Sequence, residues 1–300
     1  MKRGAIFLAV LLVGCAAMYY SQRRREPTPV SANAIVAMAA DAQRDLTRLP
    51  MRFTRISDQE EVRIGNDLAQ KYAISDEQLK PEEHALQNYI ERVGNTLAAG
   101  AHRRLPYSFH LLPDPNMMNA FSLPGGGVYV GEGLLEVVTS EDQLAFVLAH
   151  EIEHIDHYHC AERVQVEAKL RHLNLEIVGA ILQIPLSVWE AGYNKDEELE
   201  ADREGIRLSA LAGYSPYGAV SLFEEYAKLQ REYVIHAQSP QEELSQLAIE
   251  SLRGYFRSHP LPSERIAQAD GVIAQAGWQD RKTQKPFRIE YEVHNGEYVK

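Results

Sequence analysis

Apolar residues recur at helical spacing along much of the chain. Leu144, Val147, Leu148 and Ile155 keep an i, i+3, i+4 rhythm, and Ser140 with Gln143 ahead of them reads as a capping box, so a helix is predicted to start after Ser140. Ser57 followed by Asp58, Glu60 and Glu61, then Ile64 and Leu68, predicts a capped amphipathic helix, and Pro81 to Leu97 a second one ending near Gly100. Asn194 with Glu197 opens a further helix that Gly213 caps and Pro216 stops. The apolar run Ile177 to Leu182 is too short to span a bilayer and breaks at Pro185, so it predicts a buried helix with a kink or a break. Strand character appears at Tyr107 to Leu112, at Asn119 to Leu123 and at Val128 to Val130, with Pro124-Gly125-Gly126-Gly127 as a tight reversal between the last two. Such a reversal suits an open edge along which an extended peptide adds main-chain hydrogen bonds, and it equally suits a plain hairpin over the core. Arg288 to Val293 alternates at period two before Asn295-Gly296, which predicts a small strand or hairpin. The pattern as a whole predicts a mainly α chain with a small β-sheet, an α+β fold.

Composition narrows the class. At 300 residues, 45% hydrophobic and 24% charged, the chain suits one domain with decorated ends. A net charge of −11 argues against a nucleic-acid partner, whose phosphates call for a basic face. Lys2 and Arg3 precede an apolar run from Ala5 to Val13, the pattern of an export signal. The run ends Leu12-Val13-Gly14-Cys15, which resembles the lipobox of bacterial lipoproteins, with Cys15 as the lipidated residue and Ala16 after it favouring the outer membrane. The alternative is an uncleaved inner-membrane anchor running through Tyr19 and Tyr20 and stopped by Arg23, Arg24 and Arg25. The expected organisation is a signal peptide over 1–14, a tether over 15–50, a folded domain over 51–275 and a short β extension over 276–300. Cys160 is then left alone, a small buried residue near the 141–155 helix, and no disulfide framework is expected.

The candidate chemistry lies at His150-Glu151-Ile152-Glu153-His154. On a helix, residues four apart share a face, so His150 and His154 can hold one metal ion while Glu151 stands beside it without ligating. Zinc suits imidazole plus carboxylate ligands in a tetrahedral shell, and it lowers the pKa of a bound water to about 7, within reach of a neighbouring carboxylate. Farther on, Glu198, Asp202 and Gly205 fall at i, i+4 and i+7 on one helical face. Glu198 would supply the third ligand, Asp202 would accept the other N–H of a ligating histidine, most readily His150, and Gly205 would let two helices approach closely. Glu197, Glu200 and Glu204 read as an acidic solvated face. His84, His102 and His110 fall outside any ligand spacing, and His157 reads as a surface histidine or one that supports the ligands.

The pattern H-E-x-x-H followed by E-x-x-A-D-x-x-G resembles the zinc metallopeptidase family of the CAAX prenyl endopeptidase, HtpX and BepA. Asn119-Ala120-Phe121 with Pro124-Gly125-Gly126, His159 nine residues beyond His150, Ala212-Gly213-Tyr214-Ser215-Pro216, and His259-Pro260-Leu261-Pro262 with Arg265 agree in order. The resemblance implies a zincin-like domain with one zinc per chain held by His150, His154 and Glu198. It makes Glu151 the general base and Asp202 a support to the ligands. It also raises for His259 a removable fourth-ligand role, beside a helix-capping or substrate-contacting one, and Arg265 is expected to pair with a carboxylate of the ligand-bearing helices. Asn119, Ala120, Phe121, Gly125 and Gly126 become the candidate substrate-binding strand. The implied activity is an endopeptidase acting on unfolded or misassembled envelope proteins, lipid-anchored in the bacterial periplasm. Its rival is a zinc-stabilised chaperone or assembly lipoprotein with latched proteolysis. Family members with a C-terminal repeat domain dock it on assembly machinery, whereas this chain has only a short segment after the H-P motif, and its oligomeric state is left open.

Overall fold

A computed structural model describes residues 56–70, 79–170, 193–235 and 262–287. Cys15, the Ile177 to Leu182 run, His259 and the Arg288 to Val293 repeat lie outside the described residues. The described elements are α1 (Asp58–Ala69), α2 (Pro81–Ala98), β1 (Ser108–Leu112), β2 (Ala120–Ser122), β3 (Gly127–Gly131), α3 (Glu132–Val137), α4 (Glu141–Asp156), α5 (His159–Leu170), α6 (Lys195–Leu211), α7 (Tyr217–Ile235) and α8 (Pro262–Ala276). This is the mainly helical fold with a small sheet that the periodicity predicts. The helix starts follow their caps: Ser57 Oγ accepts the Glu60 N–H, and Asn194 and Glu197 exchange both bonds of a capping box. At α4 only half the box forms. Ser140 Oγ accepts the Gln143 N–H, while the Gln143 side chain instead accepts the N–H of Thr139.

The sheet has the order β1-β3-β2, with β1 parallel to β3 and β2 antiparallel to it. Alternation then sorts its side chains. Phe109, Leu111, Ala120, Val128 and Val130 join the main core, whereas His110, Tyr129 and Phe121 sit in register on the other face as stacked rings with centroids 4.9 and 5.1 Å apart. Ile64 and Leu68 of α1 cover that second face, together with Val164 of α5. β1's outer edge is capped by a side chain: the Gln87 amide donates to the Phe109 carbonyl and accepts the Leu111 N–H.

Everything is arranged around α4, which is buried at every position from Asp142 to Asp156. A helix buried on all sides must be covered all round, and α2, α6 and α7 supply most of that cover. Burial of Leu144, Leu148 and Ile152 contributes about 1.5–3 kcal/mol per side chain.

Two polar devices close the outside. Arg103, whose ring-stacking partner is Tyr158, donates to Glu61, Asp58 and the Ile155 carbonyl, and Glu61 in turn accepts the Gly125 N–H. That ties α1 to the glycine reversal and to the end of α4. At the other end of α4, Asp142 accepts the N–H of Ser215 and of Lys285, and Ser140 bridges to Pro286. Residues 277–287 are thus a strap laid over the start of α4. The reason is the set of free N–H and carboxylate groups at a helix start, which the returning chain satisfies.

Candidate active site

His150 and His154 lie one turn apart on α4, and α6 crosses that face. A Cβ added at Gly205 would stand 3.0 Å from the His150 backbone nitrogen, so a side chain here would press on the α4 backbone that glycine lets come close. The crossing brings Glu198 to both imidazoles: Oε2 is 3.4 Å from His150 Nε2 and Oε1 is 3.7 Å from His154 Nε2, while the two Nε2 atoms are 3.0 Å apart. Bonds of about 2.0–2.1 Å spread tetrahedrally place donors roughly 3.3 Å apart, so this donor set fits a zinc ion. The Glu198 carboxylate is fully buried, an environment that stabilises it only when positive charge faces it.

Asp202, one turn after Glu198, has its Oδ1 3.0 Å from His150 Nδ1. Arg265 of α8 grips the same carboxylate through Nε at 2.7 Å and through a terminal nitrogen at 2.5 Å, and its guanidinium lies over the Phe223 ring. Burial would raise the Asp202 pKa, but Arg265 and His150 outweigh it and hold the carboxyl ionised. Burial likewise favours neutral His150, yet Asp202 and Glu198 prevail and push its pKa up to about 10.

Glu151 is buried beside the ligands without being one of them. Burial raises its pKa, against the opposing pull of His150 and a hydrogen bond from Ser122 of β2. Three further residues complete the surroundings, none given a defined role by the spacing alone. Tyr193 donates its backbone N–H to Glu198 Oε1 at 2.8 Å and stacks its ring on His154 at 3.9 Å. His159 Nδ1 lies 2.9 Å from His154 Nδ1, and its Nε2 is 3.5 Å from Glu200, whose carboxyl is held down at about 2 chiefly by that hydrogen bond. The ordered motif set does contain His159, which was the available signal. Cys160 is buried as expected, its thiol against Ser122 and the Tyr193 hydroxyl and pushed up to about 12 by burial.

The candidate substrate residues lie along β2 and the glycine reversal that follows it. β2 is the sheet edge among the described residues, but Ala120, Phe121 and Ser122 are all buried, and the Cys160 thiol of α5 reaches the Ser122 carbonyl on the free side. Asn119 uses its side-chain oxygen on the Ala120 N–H. Gly125 and Gly126 have φ of 85° and 124°, and a Cβ there would meet Val62 Cα at 2.5 Å and the Pro106 carbonyl at 2.8 Å. The close approach that these two glycines permit is taken by the chain's own α1 and by the 106 loop.

Comparison with known proteins supplies a context for this geometry. The profile described as Peptidase family M48 matches residues 84–273. A putative beta-barrel assembly-enhancing protease of Vibrio cholerae is 29% identical over 202 residues, 61% of this chain and 38% of that protein. The beta-barrel assembly-enhancing protease of Yersinia pestis is 29% identical over 203 residues, again 61% and 38% of the two chains. The mitochondrial metalloendopeptidase OMA1 of Schizosaccharomyces pombe is 32% identical over 183 residues, 58% of this chain and 54% of that protein. The matched stretch spans between about two fifths and just over half of these relatives' lengths.

Proposed function

Because the chain belongs to peptidase family M48, we propose that it is a zinc-dependent endopeptidase of the bacterial cell envelope. The observation that carries this reading is Glu151, a buried carboxylate next to a three-donor set it does not join. Zinc held by His150, His154 and Glu198 would act as a Lewis acid, acidifying a water and polarising the scissile carbonyl. Glu151 takes the proton of the attacking water and returns it to the leaving amine. Asp202 fixes the His150 ring by accepting its Nδ1–H, and Arg265 keeps Asp202 ionised and oriented. Unfolded or misassembled envelope proteins are the substrate class, in keeping with relatives named for β-barrel assembly and with the lipobox at Cys15.

One observation favours a second reading, in which the protein works as a latched assembly factor. The free edge of β2 is closed by Cys160, so a peptide adding to it has to displace α5 first.

Zinc content, casein cleavage and labelled-palmitate uptake test the assignment together. Wild-type protein should carry one zinc per chain and cleave casein. Glu151→Gln should keep the zinc and lose at least about 100-fold in activity, and Cys15→Ser should lose only the label. Purified protein without zinc, or a fully active Glu151→Gln, would falsify the peptidase reading, whereas wild-type envelope function in the inactive variant selects the assembly factor.

A further inference from the structure

We propose that His159 and Glu200 are positioning residues that fix the tautomer of His154 and thereby direct its Nε2 lone pair at the metal. The inference rests on the reading of His150, His154 and Glu198 as ligands.

The distances support a specific placement of protons. His154 turns Nε2 toward His150 and Glu198, and its Nδ1 faces His159 Nδ1 at 2.9 Å. Two imidazole nitrogens at that distance share one proton, so one donates and the other accepts. Glu200 Oε2, 3.5 Å from His159 Nε2, can only accept, which favours a proton on that nitrogen. With a proton on Nε2, His159 can offer its Nδ1 lone pair to the His154 Nδ1–H. His154 Nε2 is left with its lone pair toward the metal. On the other ligand Asp202 achieves the same result in a single step, through His150 Nδ1 at 3.0 Å. The two ligating histidines are thus oriented by different devices, a direct carboxylate for one and a histidine–carboxylate relay for the other.

The backbone is built to make this contact. Tyr158 has a φ of 63°, a left-handed conformation that ends α4 and reverses the chain so that α5 begins with His159 against His154, ring centroids 5.1 Å apart. The stack of Arg103 on Tyr158, 3.9 Å from the ring centre, accompanies that turn. Glu200 divides its oxygens: Oε2 serves His159, while Oε1 faces His157 at 3.7 Å and Arg203 at 3.6 Å.

The test measures zinc affinity by competition with a chromophoric chelator, the absorption of the cobalt-substituted protein, and the melting temperature of the metal-free protein. His159→Phe fills the volume without an acceptor and should bind zinc about 10- to 100-fold more weakly, with the metal-free melting temperature close to wild type. His159→Asn restores an acceptor near the Nδ1 position and should recover most of the affinity. Glu200→Ala, at a half-exposed position that tolerates change, should weaken zinc binding and shift the cobalt bands, which keeps the idea testable if His159→Phe does not fold. Wild-type affinity in His159→Phe, equal losses in the Phe and Asn variants, or a Glu200→Ala protein with unaltered affinity and cobalt bands would each overturn the relay. Wild-type protein that fails to bind zinc removes the ligand assignment and the relay with it, whereas tight wild-type binding with unaffected variants removes the relay alone.

Discussion

At the scale of single residues, the site is a balance between burial and charge. His150 is almost fully buried, yet its pKa rises from 6.5 to about 10 because two carboxylates face it. A group whose pKa is higher in the folded chain adds stability that is complete below its unfolded value and disappears as pH climbs through the folded one. Metal-free protein should therefore lose melting temperature between pH 6.5 and about 10, and protein loaded with stoichiometric zinc should lose less, because the cation replaces the proton. Circular dichroism melts of both forms across that range check this, and parallel curves would refute it. The sequence pointed to Asp202 by its i, i+4 spacing from Glu198, and to Arg265 through the family resemblance. It gave no role to Tyr193 or Glu200. Their contacts depend on the left-handed turn at Tyr158 and on the approach of α6, and neither leaves a mark in hydrophobic periodicity.

At the scale of elements, the crossing of α4 and α6 assembles the ligands, and Gly205 sets its distance. Gly205→Val has to push against the backbone of Ala149 and His150. Overpacking of this kind costs about 1–3 kcal/mol, and here it also moves Glu198 away from the imidazoles. Urea melts should show the destabilisation and metal analysis a reduced zinc content. A variant of wild-type stability and full zinc content would show that the helices have room to spare. Capping residues and apolar spacing located α1, α2, α4 and α6 closely, because those signals are local. The use made of the glycine reversal was not local: Gly125 and Gly126 serve α1 and the 106 loop, both contributed by chain distant from the turn.

At the scale of the whole molecule, the matched family region and the folded unit differ in extent. Residues 84–273 exclude α1, which covers Tyr129 and Phe121 and supplies Glu61 to the buried Arg103, and they exclude the strap over α4. Breaking a buried ion pair by removing one partner costs about 3–5 kcal/mol, a large part of a typical domain's stability of about 5–15 kcal/mol. A fragment of residues 84–273 should be insoluble or lack a cooperative melt, and one of residues 56–287 should melt cooperatively. A well-folded shorter fragment would show α1 and the strap to be dispensable. The strap also has a mechanical meaning. Tension applied to the chain beyond Phe287 is delivered through Lys285 and Ser140 to the first turn of α4, so the helix that carries both histidines is among the first parts of the fold to feel a pull from that end.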